Sequence, residues 1–408
     1  MNILFSCDEY PPVKSGGIGT VTKIVAEELC KRGHNIYVVS GILPNIHLPK
    51  QMICNGVEVI RFKYFKHLSF AFGKPNSSGE TILLKMLRKI GVMSFLAKKE
   101  FYRTHKILQR IIKEKGIDLV EFPDYIKLSD YYKARKVLGF PKYDIPVVAR
   151  VHGCQSFASF YRDGYITDVD KYNDVSFFNS ANKILAVSRF SADFVNKELG
   201  IEKTIDVIYN PIDLQALLQE ANQVRCARNF EKTIVFVGKV VETKGAFNLI
   251  KAFNQFVKSH SEYKLILIGG GDIERGKSLV ENSVLDHVIF TGYLSRQDIC
   301  GYILNASFCV VPSFYENFSM VALEIMALGK AFIYTKEASG AEVINDGVDG
   351  LLVDPHNVDD IYEKMTYLAA QPEVCAKLGG AAAERVKEYF ALPVIVSELE
   401  SYYNSLIR

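Results

Sequence analysis

No stretch of about 18 uncharged apolar residues occurs in this 408-residue chain, which excludes a spanning helix from the sequence reading. A signal-peptide core is missing too, because the first apolar run, residues 2–7, meets Asp8 and Glu9 too early. No C-x-x-C pair joins any of the cysteines Cys7, Cys30, Cys54, Cys154, Cys226, Cys300, Cys309 and Cys375. That scatter speaks against disulfides and zinc, and for a reducing compartment, the cytoplasm. Short repeats and low-complexity linkers are absent. The glycine-rich turn after the first apolar run is not G-x-G-x-x-G, and no acidic residue stands as the ribose partner of a dinucleotide.

What is present describes a globular protein: 49% hydrophobic residues, 23% charged, mean hydropathy +0.07. The length suits two domains better than one core. A net charge of +3 conceals an asymmetry. Residues 1–190 hold 29 Lys and Arg against 17 Asp and Glu, while the remaining 218 hold 20 against 29. Such a split bears on partners rather than on fold.

Short apolar runs alternate with helical patterns almost throughout, which predicts an α/β protein with parallel sheets. Strands are expected at 2–7, 35–40, 57–63, 118–122, 146–151 and 183–187, and again at 233–237, 264–268, 288–291, 307–311 and 330–334. Helices are expected at 17–32, 129–138, 245–258, 319–328 and 357–370. Two consecutive doubly wound units account for this order, one over 1–208 and one over 209–389. A last helix, about 390–408, follows the second unit and can pack back onto the first.

Four segments carry chemistry, each after a strand. The most informative runs from Val310 to Glu324, where a strand gives way to a polar-aromatic loop and then a helix starting near Ser319. Amides of Phe318, Ser319 and Met320, beside Asn317, then face the positive end of a helix dipole, an arrangement that suits a diphosphate. Glu316 lies in the loop and Glu324 well into the helix. Either glutamate alone reads as an ordinary surface residue or helix ion pair; their neighbours argue otherwise. The second segment, Phe236 to Gly245, offers Gly238 for close backbone approach and two cations, Lys239 and Lys244, that suit a leaving diphosphate. The third places Gly16, Gly17 and Gly19 at a helix start. The fourth ends a buried strand with His152, a residue type more often structural than catalytic when it stands alone.

Together these segments resemble glycosyltransferase family 4, a retaining family with the GT-B fold. The resemblance rests on "VGKVVETKG", "LILIGGGD", "VVPSFYENFSMVALEIMALGKAFI" and "SGAEVINDGVDGLLVDP" in order, and more loosely on "YPPVKSGGIGT", "VARVHG" and "ILAVSRFSADFV". It implies two Rossmann-like domains facing each other across a crevice, the first on the acceptor side and the second holding a UDP- or GDP-linked sugar. Glu316 then corresponds to the carboxylate near the donor hexose and Glu324 to the one on the ribose hydroxyls. Lys239 and Lys244 neutralise the diphosphate, helped by amides at Gly16–Gly19 and Phe318–Met320, and His152 lies beside the sugar. The family usually has arginine where this chain has Lys239, which keeps the charge but loses the bidentate fork. No metal or other cofactor is implied. The acceptor is expected to be a glycan, a lipid-linked sugar or a small molecule, within cell-surface polysaccharide or glycoconjugate assembly. Alternatives are a GT-B epimerase or small-glycoside synthase, and a subunit that binds nucleotide-sugar without turnover.

Two further segments stay open at this level. Asp168-Val169-Asp170 spells D-x-D, the metal motif of the other main glycosyltransferase fold, and is read as a chance match in a loop. Around it, residues 155–173 are aromatic and polar, fitting either a sugar-contacting wall or a helix packed on the core. Residues 83–115 carry ten cations (Lys85, Arg88, Lys89, Lys98, Lys99, Arg103, Lys106, Arg110, Lys113, Lys115) with interleaved apolar residues. They fit attachment to an anionic membrane surface on its inner face, or core helices with a solvated basic side. Nucleic acid is not expected, because no binding motif accompanies the charge. Oligomeric state is left open.

Overall fold

The computed structural model describes residues 1–13, 16–43, 45–64, 92–124, 142–223 and 232–407. Its contacts divide the chain into two compact units, Met1–Tyr209 with Val396–Arg408, and Asn210–Ile395.

The first unit is built on an eight-stranded sheet: β1 Asn2–Ser6, β2 Asn35–Ile42, β3 Gln51–Cys54, β4 Val57–Lys63, β5 Leu119–Pro123, β6 Val147–Val151, β7 Lys183–Ala186 and β8 Ile205–Val207. The order across the sheet is β3-β4-β2-β1-β5-β6-β7-β8, parallel except for the edge pair β3–β4. Ile3 and Leu4 of β1 and Val148 and Ala149 of β6 are fully buried, as strands covered on both faces require. The described helices are α1 Gly17–Lys31, α2 Val92–Lys115, α3 Gln155–Asp163, α4 Asp168–Ser180 and α5 Arg189–Leu199.

The second unit has six parallel strands: β9 Lys232–Val237, β10 Tyr263–Ile268, β11 Val288–Gly292, β12 Phe308–Val311, β13 Phe332–Thr335 and β14 Leu351–Val353. They are ordered β11-β10-β9-β12-β13-β14. Its helices are α6 Leu214–Asn222, α7 Ala246–Phe256, α8 Ile273–Ser278, α9 Arg296–Asn305, α10 Met320–Ala327, α11 Gly340–Val343, α12 Val358–Ala370 and α13 Pro372–Arg385. The last helix, α14 Leu392–Ile407, begins here, and its residues from Val396 onward belong to the first unit. There Tyr403 donates to Glu121 at 2.6 Å, and Glu400 meets Arg32 at 3.2 Å and His34 at 2.9 Å.

In each sheet the strand order reverses direction at one place, between β1 and β5 and between β9 and β12. Crevices for ligands open at the carboxyl ends beside such points. The segments singled out from the sequence follow β1, β6, β9 and β12, so they gather at or next to the two switch points.

The expected long strands are all present, within one or two residues at their ends. Sequence reading missed the short β3 and β14. It also misplaced D-x-D: Asp168 begins α4, the Thr167 side chain caps that helix by accepting from the Asp170 amide, and Asp170 is buried, accepting from Ser159 at 3.0 Å. A buried carboxylate satisfied inside the fold is a structural residue, and the loop reading is corrected. Residues 155–173 are mainly helical, and Phe157 packs between Tyr161 and Phe194 at ring distances of 4.7 and 4.9 Å. The expected helix at 129–138 and the cations Lys85, Arg88 and Lys89 lie outside the described residues.

Helix α2 turns Glu100, Phe101, His105, Leu108 and Ile111 inward. Arg103 pairs with Glu100, and Lys115 with Glu58 at 2.7 Å. Its apolar face is therefore used by the core, and Lys98, Lys99, Lys106, Arg110 and Lys113 form the exposed side. Among the described residues no helix is long and apolar enough to cross a membrane.

Candidate functional site

Three strand ends of the second unit meet around Glu316. After β9 the chain passes Gly238 and the exposed Lys239, makes a short 3-10 turn at Glu242–Lys244, and enters α7 through Gly245. Gly245 has φ +69°, and a Cβ there would sit 1.8 Å from the carbonyl oxygen of Pro312, just after β12. Only glycine permits this backbone-to-backbone approach. The adjacent hydrogen bond from the Phe314 amide to the Thr243 carbonyl, 3.0 Å, fastens the two loops together.

That fastening brings Lys244 to Glu316, Nζ to Oε1 at 2.5 Å, with 30% and 16% of their side chains exposed. Ser313 donates to the same carboxylate oxygen at 3.3 Å. The loop after β13 completes the arrangement: the Ser339 hydroxyl and amide donate to the Glu316 carbonyl at 3.0 and 3.3 Å. Gly340 lets that loop close in, since a Cβ there would lie 1.9 Å from the Thr335 carbonyl. Glu316 is thus held by both side chain and backbone. Burial and the Glu316 charge push the nearby Tyr334 phenol far above its ordinary range, so it stays protonated.

Helix α10 starts one residue later than expected. Ser319 is its cap, accepting from the Ala322 amide at 3.4 Å, and Met320 is the first helical residue. The Phe318 side chain is buried, edge-on to Phe390 at 5.5 Å, so it anchors the loop while Asn317 is partly exposed. Glu324 lies in the second turn and meets Arg296 of α9, Nη2 to Oε1, at 3.2 Å. Arg296 also contacts Glu220 of α6 at 2.9 Å. Burial raises the Glu324 pKa; Arg296 acts to lower it and Glu220 to raise it. The Lys239 side chain has no hydrogen bond or ion pair among the described residues, while its carbonyl accepts from the Val241 amide at 2.9 Å.

In the first unit, Gly16 precedes α1 and its amide donates to Glu9 at 3.0 Å. Gly17 is open on its Cβ side, with nothing within 4 Å, whereas Gly19 is buried. His152 follows β6. Its amide and that of Gly153 donate to one oxygen of the buried Asp124, at 3.0 and 2.9 Å. Burial, with Arg150 adding to it, lowers the His152 pKa to about 3, so the imidazole is neutral near pH 7. Burial lifts Asp124 to about 7 against the opposing pull of those two amides. Among the described residues, no three His, Cys, Asp or Glu side chains gather to hold a metal ion.

Structure therefore joins Lys244 with Glu316, and Glu324 with Arg296, within the second unit, and sets His152 and the Gly16–Gly19 turn at strand ends of the first. Sequence reading missed Ser313, Ser339, Arg296, Glu220 and Asp124. A signal existed for the last: Asp124 follows an apolar strand, as His152 does. Ser295, three residues before Asp298, likewise marks the start of α9 and so locates Arg296.

Residues 15–216 match the family model described as Glycosyltransferase Family 4, and residues 220–385 the one described as Glycosyl transferases group 1. The chain is 22% identical to a glycogen synthase of Mycobacterium tuberculosis over 99% of its own length and 94% of that protein's. Among solved structures, sucrose-phosphate synthase from Thermosynechococcus elongatus superposes with a TM-score of 0.75 at 19% identity, covering 100% of this chain and 99% of that one. Anabaena HepE, solved in complex with UDP-glucose, gives 0.65 at 18% identity with both chains fully covered. At these identities the structural likeness speaks for a shared GT-B fold.

Proposed function

Because the chain belongs to glycosyltransferase family 4, a retaining family, we propose that it moves a hexose from a nucleoside-diphosphate sugar to a glycan, lipid-linked or small-molecule acceptor. The single observation that carries this reading is the Lys244–Glu316 pair, held by three strand ends beside the β9–β12 switch point.

The chemistry follows from that geometry. When the bond between the anomeric carbon and the diphosphate breaks, negative charge grows on the leaving oxygens. Lys244, already anchored, and Lys239, exposed after β9, supply positive charge there without reorganising. Amides at the start of α10 add to it. Glu316, fixed by Ser313 and Ser339, accepts hydrogen bonds from the hexose, and Glu324 accepts them from the ribose. His152, neutral and adjoining the Asp124-held turn, is suited to hydrogen-bond a sugar hydroxyl rather than to carry charge. With two lysines and helix amides on the diphosphate, no metal is required, and the departing phosphate can take the acceptor's proton.

HepE was solved with UDP-glucose, which favours a UDP-linked donor for this chain as well. The relatives' names include a synthase of a polymer and one of a sugar phosphate, and the first-unit charge favours an anionic or membrane-borne acceptor in surface-glycan assembly. The test is a thermal-shift screen of nucleotide-sugars followed by anomeric analysis of any product. A UDP-sugar that raises the melting temperature and yields a product of unchanged anomeric configuration supports the reading. An inverted product overturns the mechanism.

A further inference from the structure

Glu324 is the one charged residue in α10, whose Ala322, Leu323, Ile325 and Met326 are wholly buried. Its side chain is only 18% exposed, so most of the water that stabilises a carboxylate is gone. Burial therefore favours the protonated acid, which accepts poorly and carries a proton where a ligand hydroxyl has to donate. Arg296 stands against that tendency. Its guanidinium lies 3.2 Å from Glu324, while its Nε edge is tethered at 2.9 Å to Glu220 on a third element, α6. A guanidinium paired with two carboxylates from different elements is restrained by both, and its planar fork makes it rigid in a way lysine is not.

The charges also matter in sum. Two carboxylates about one guanidinium leave net negative charge: Arg296 acts to keep Glu324 ionised, Glu220 acts against it, and the charge on Glu324 is not cancelled. Arg296 engages Oε1 alone, so among the described residues Oε2 is open, and Oε1 keeps a second lone pair for a ligand. An ionised carboxylate whose two oxygens can both still accept is the natural partner of a vicinal diol, because each hydroxyl donates to one oxygen.

We propose that Arg296, tethered by Glu220, is a specificity-determining positioning residue: it holds the Glu324 carboxylate ionised and in place for both hydroxyls of a ribose. It thereby sets how strongly the site prefers ribonucleotides to deoxyribonucleotides. This rests on the reading that Glu324 takes the ribose of the donor.

The experiment measures dissociation constants by calorimetry for UDP and 2′,3′-dideoxy-UDP, with GDP and its dideoxy analogue in parallel. The proteins are the full chain and its Arg296→Gln, Arg296→Lys, Glu220→Gln and Glu324→Gln variants. The unaltered chain is expected to prefer the ribonucleotide by about tenfold or more, two charge-assisted hydrogen bonds being at stake. Arg296→Gln shrinks that preference to about twofold with the dideoxy affinity unchanged, and Arg296→Lys restores part of it. If Arg296→Gln keeps the full preference while Glu324→Gln abolishes it, Arg296 has no such role and the ribose reading survives. If Glu324→Gln also keeps it, or if no nucleotide binds, the ribose reading itself is wrong and the proposal falls with it. Should Arg296→Gln fail to fold, Arg296→Lys decides: losing the planar fork has to weaken the preference, and an unchanged value overturns the proposal.

Discussion

Lys244 and Glu316 stand 72 positions apart in the chain and meet at 2.5 Å, because Gly245 allows their two loops to touch through the backbone. The pair is an anchored cation and an anchored acceptor, each with a capacity for a ligand beyond the bond they make to each other. Removing either therefore does two things at once: it deletes a contact and releases its partner.

Lys244→Ala and Glu316→Ala are expected to lower turnover by about 100-fold or more, the size of losing one fixed electrostatic contact in an active site. The measurement is initial rate with the donor found by the thermal-shift screen. Near-normal rates in both variants would show that the chemistry lies elsewhere.

Gly245→Ala tests the loop junction itself. The new methyl meets the Pro312 carbonyl and the residue retains positive φ, so strain and displacement combine. Denaturant unfolding is expected to show a loss of roughly 1–3 kcal/mol, with turnover falling because Lys244 moves with the turn. A variant of unaltered stability would mean that the two loops part without cost.

Asp124 gives a prediction in pH. Its folded-state pKa of about 7 lies above the ordinary carboxylate value of 3.8, so the folded chain binds more protons than the unfolded chain between these limits. Its contribution is fully present below pH 4 and is lost as pH rises through about 7. His152 and His105, lowered to about 3 and about 4, push the other way below pH 6.5, and Asp174, raised to about 6, adds to Asp124. The readable quantity is therefore a difference between two proteins. Asp124→Asn keeps an oxygen for the two amides and removes the titration, so its stability relative to the parent should increase from pH 4 to pH 7 and then level off. A flat difference across that range would place the Asp124 titration outside it.

The exposed basic side of α2 leads to a fourth expectation. With Phe101, Leu108 and Ile111 in the core, and Phe95 and Tyr102 the large apolar side chains this helix exposes, attachment to a membrane is expected to rest mainly on charge, through Lys98, Lys99, Lys106, Arg110 and Lys113. The chain is expected to sediment with anionic vesicles at low salt, to stay in solution with neutral ones, and to be released near 0.5 M salt, roughly where screening shortens to a few ångströms. Equal sedimentation with both vesicle types removes the membrane reading.

Much of this was legible in the sequence because buried parallel strands announce themselves. Runs such as Ile234–Val237 and Phe308–Val311 are short, continuous segments rich in β-branched and aromatic residues and bounded by polar or glycine-rich turns, and their shortness and flanks argue for strands over helices. The strands that escaped notice, β3 and β14, are short edge elements, and the first alternates exposed residues along its length. Asp168 was misread because the Thr167 cap three residues before Asp170 went unrecognised. Position after a strand singled out Glu316 and Lys244 only together with their neighbours and with the motifs of the family they resemble. Nothing in the sequence could reveal that Glu324 faces Arg296, since their helices are brought together only by the order of β9, β10, β11 and β12 in the sheet.

The last helix carries a consequence for how the molecule comes into being. Glu121 of β5 waits for Tyr403, and Arg32 and His34 wait for Glu400, residues that leave the ribosome only after all of Asn210–Ile395 has been made. Domains ordinarily fold as they emerge, the N-terminal one first. Here the unit that is begun first is finished last, so the nascent chain carries an incomplete early half throughout synthesis of the later one.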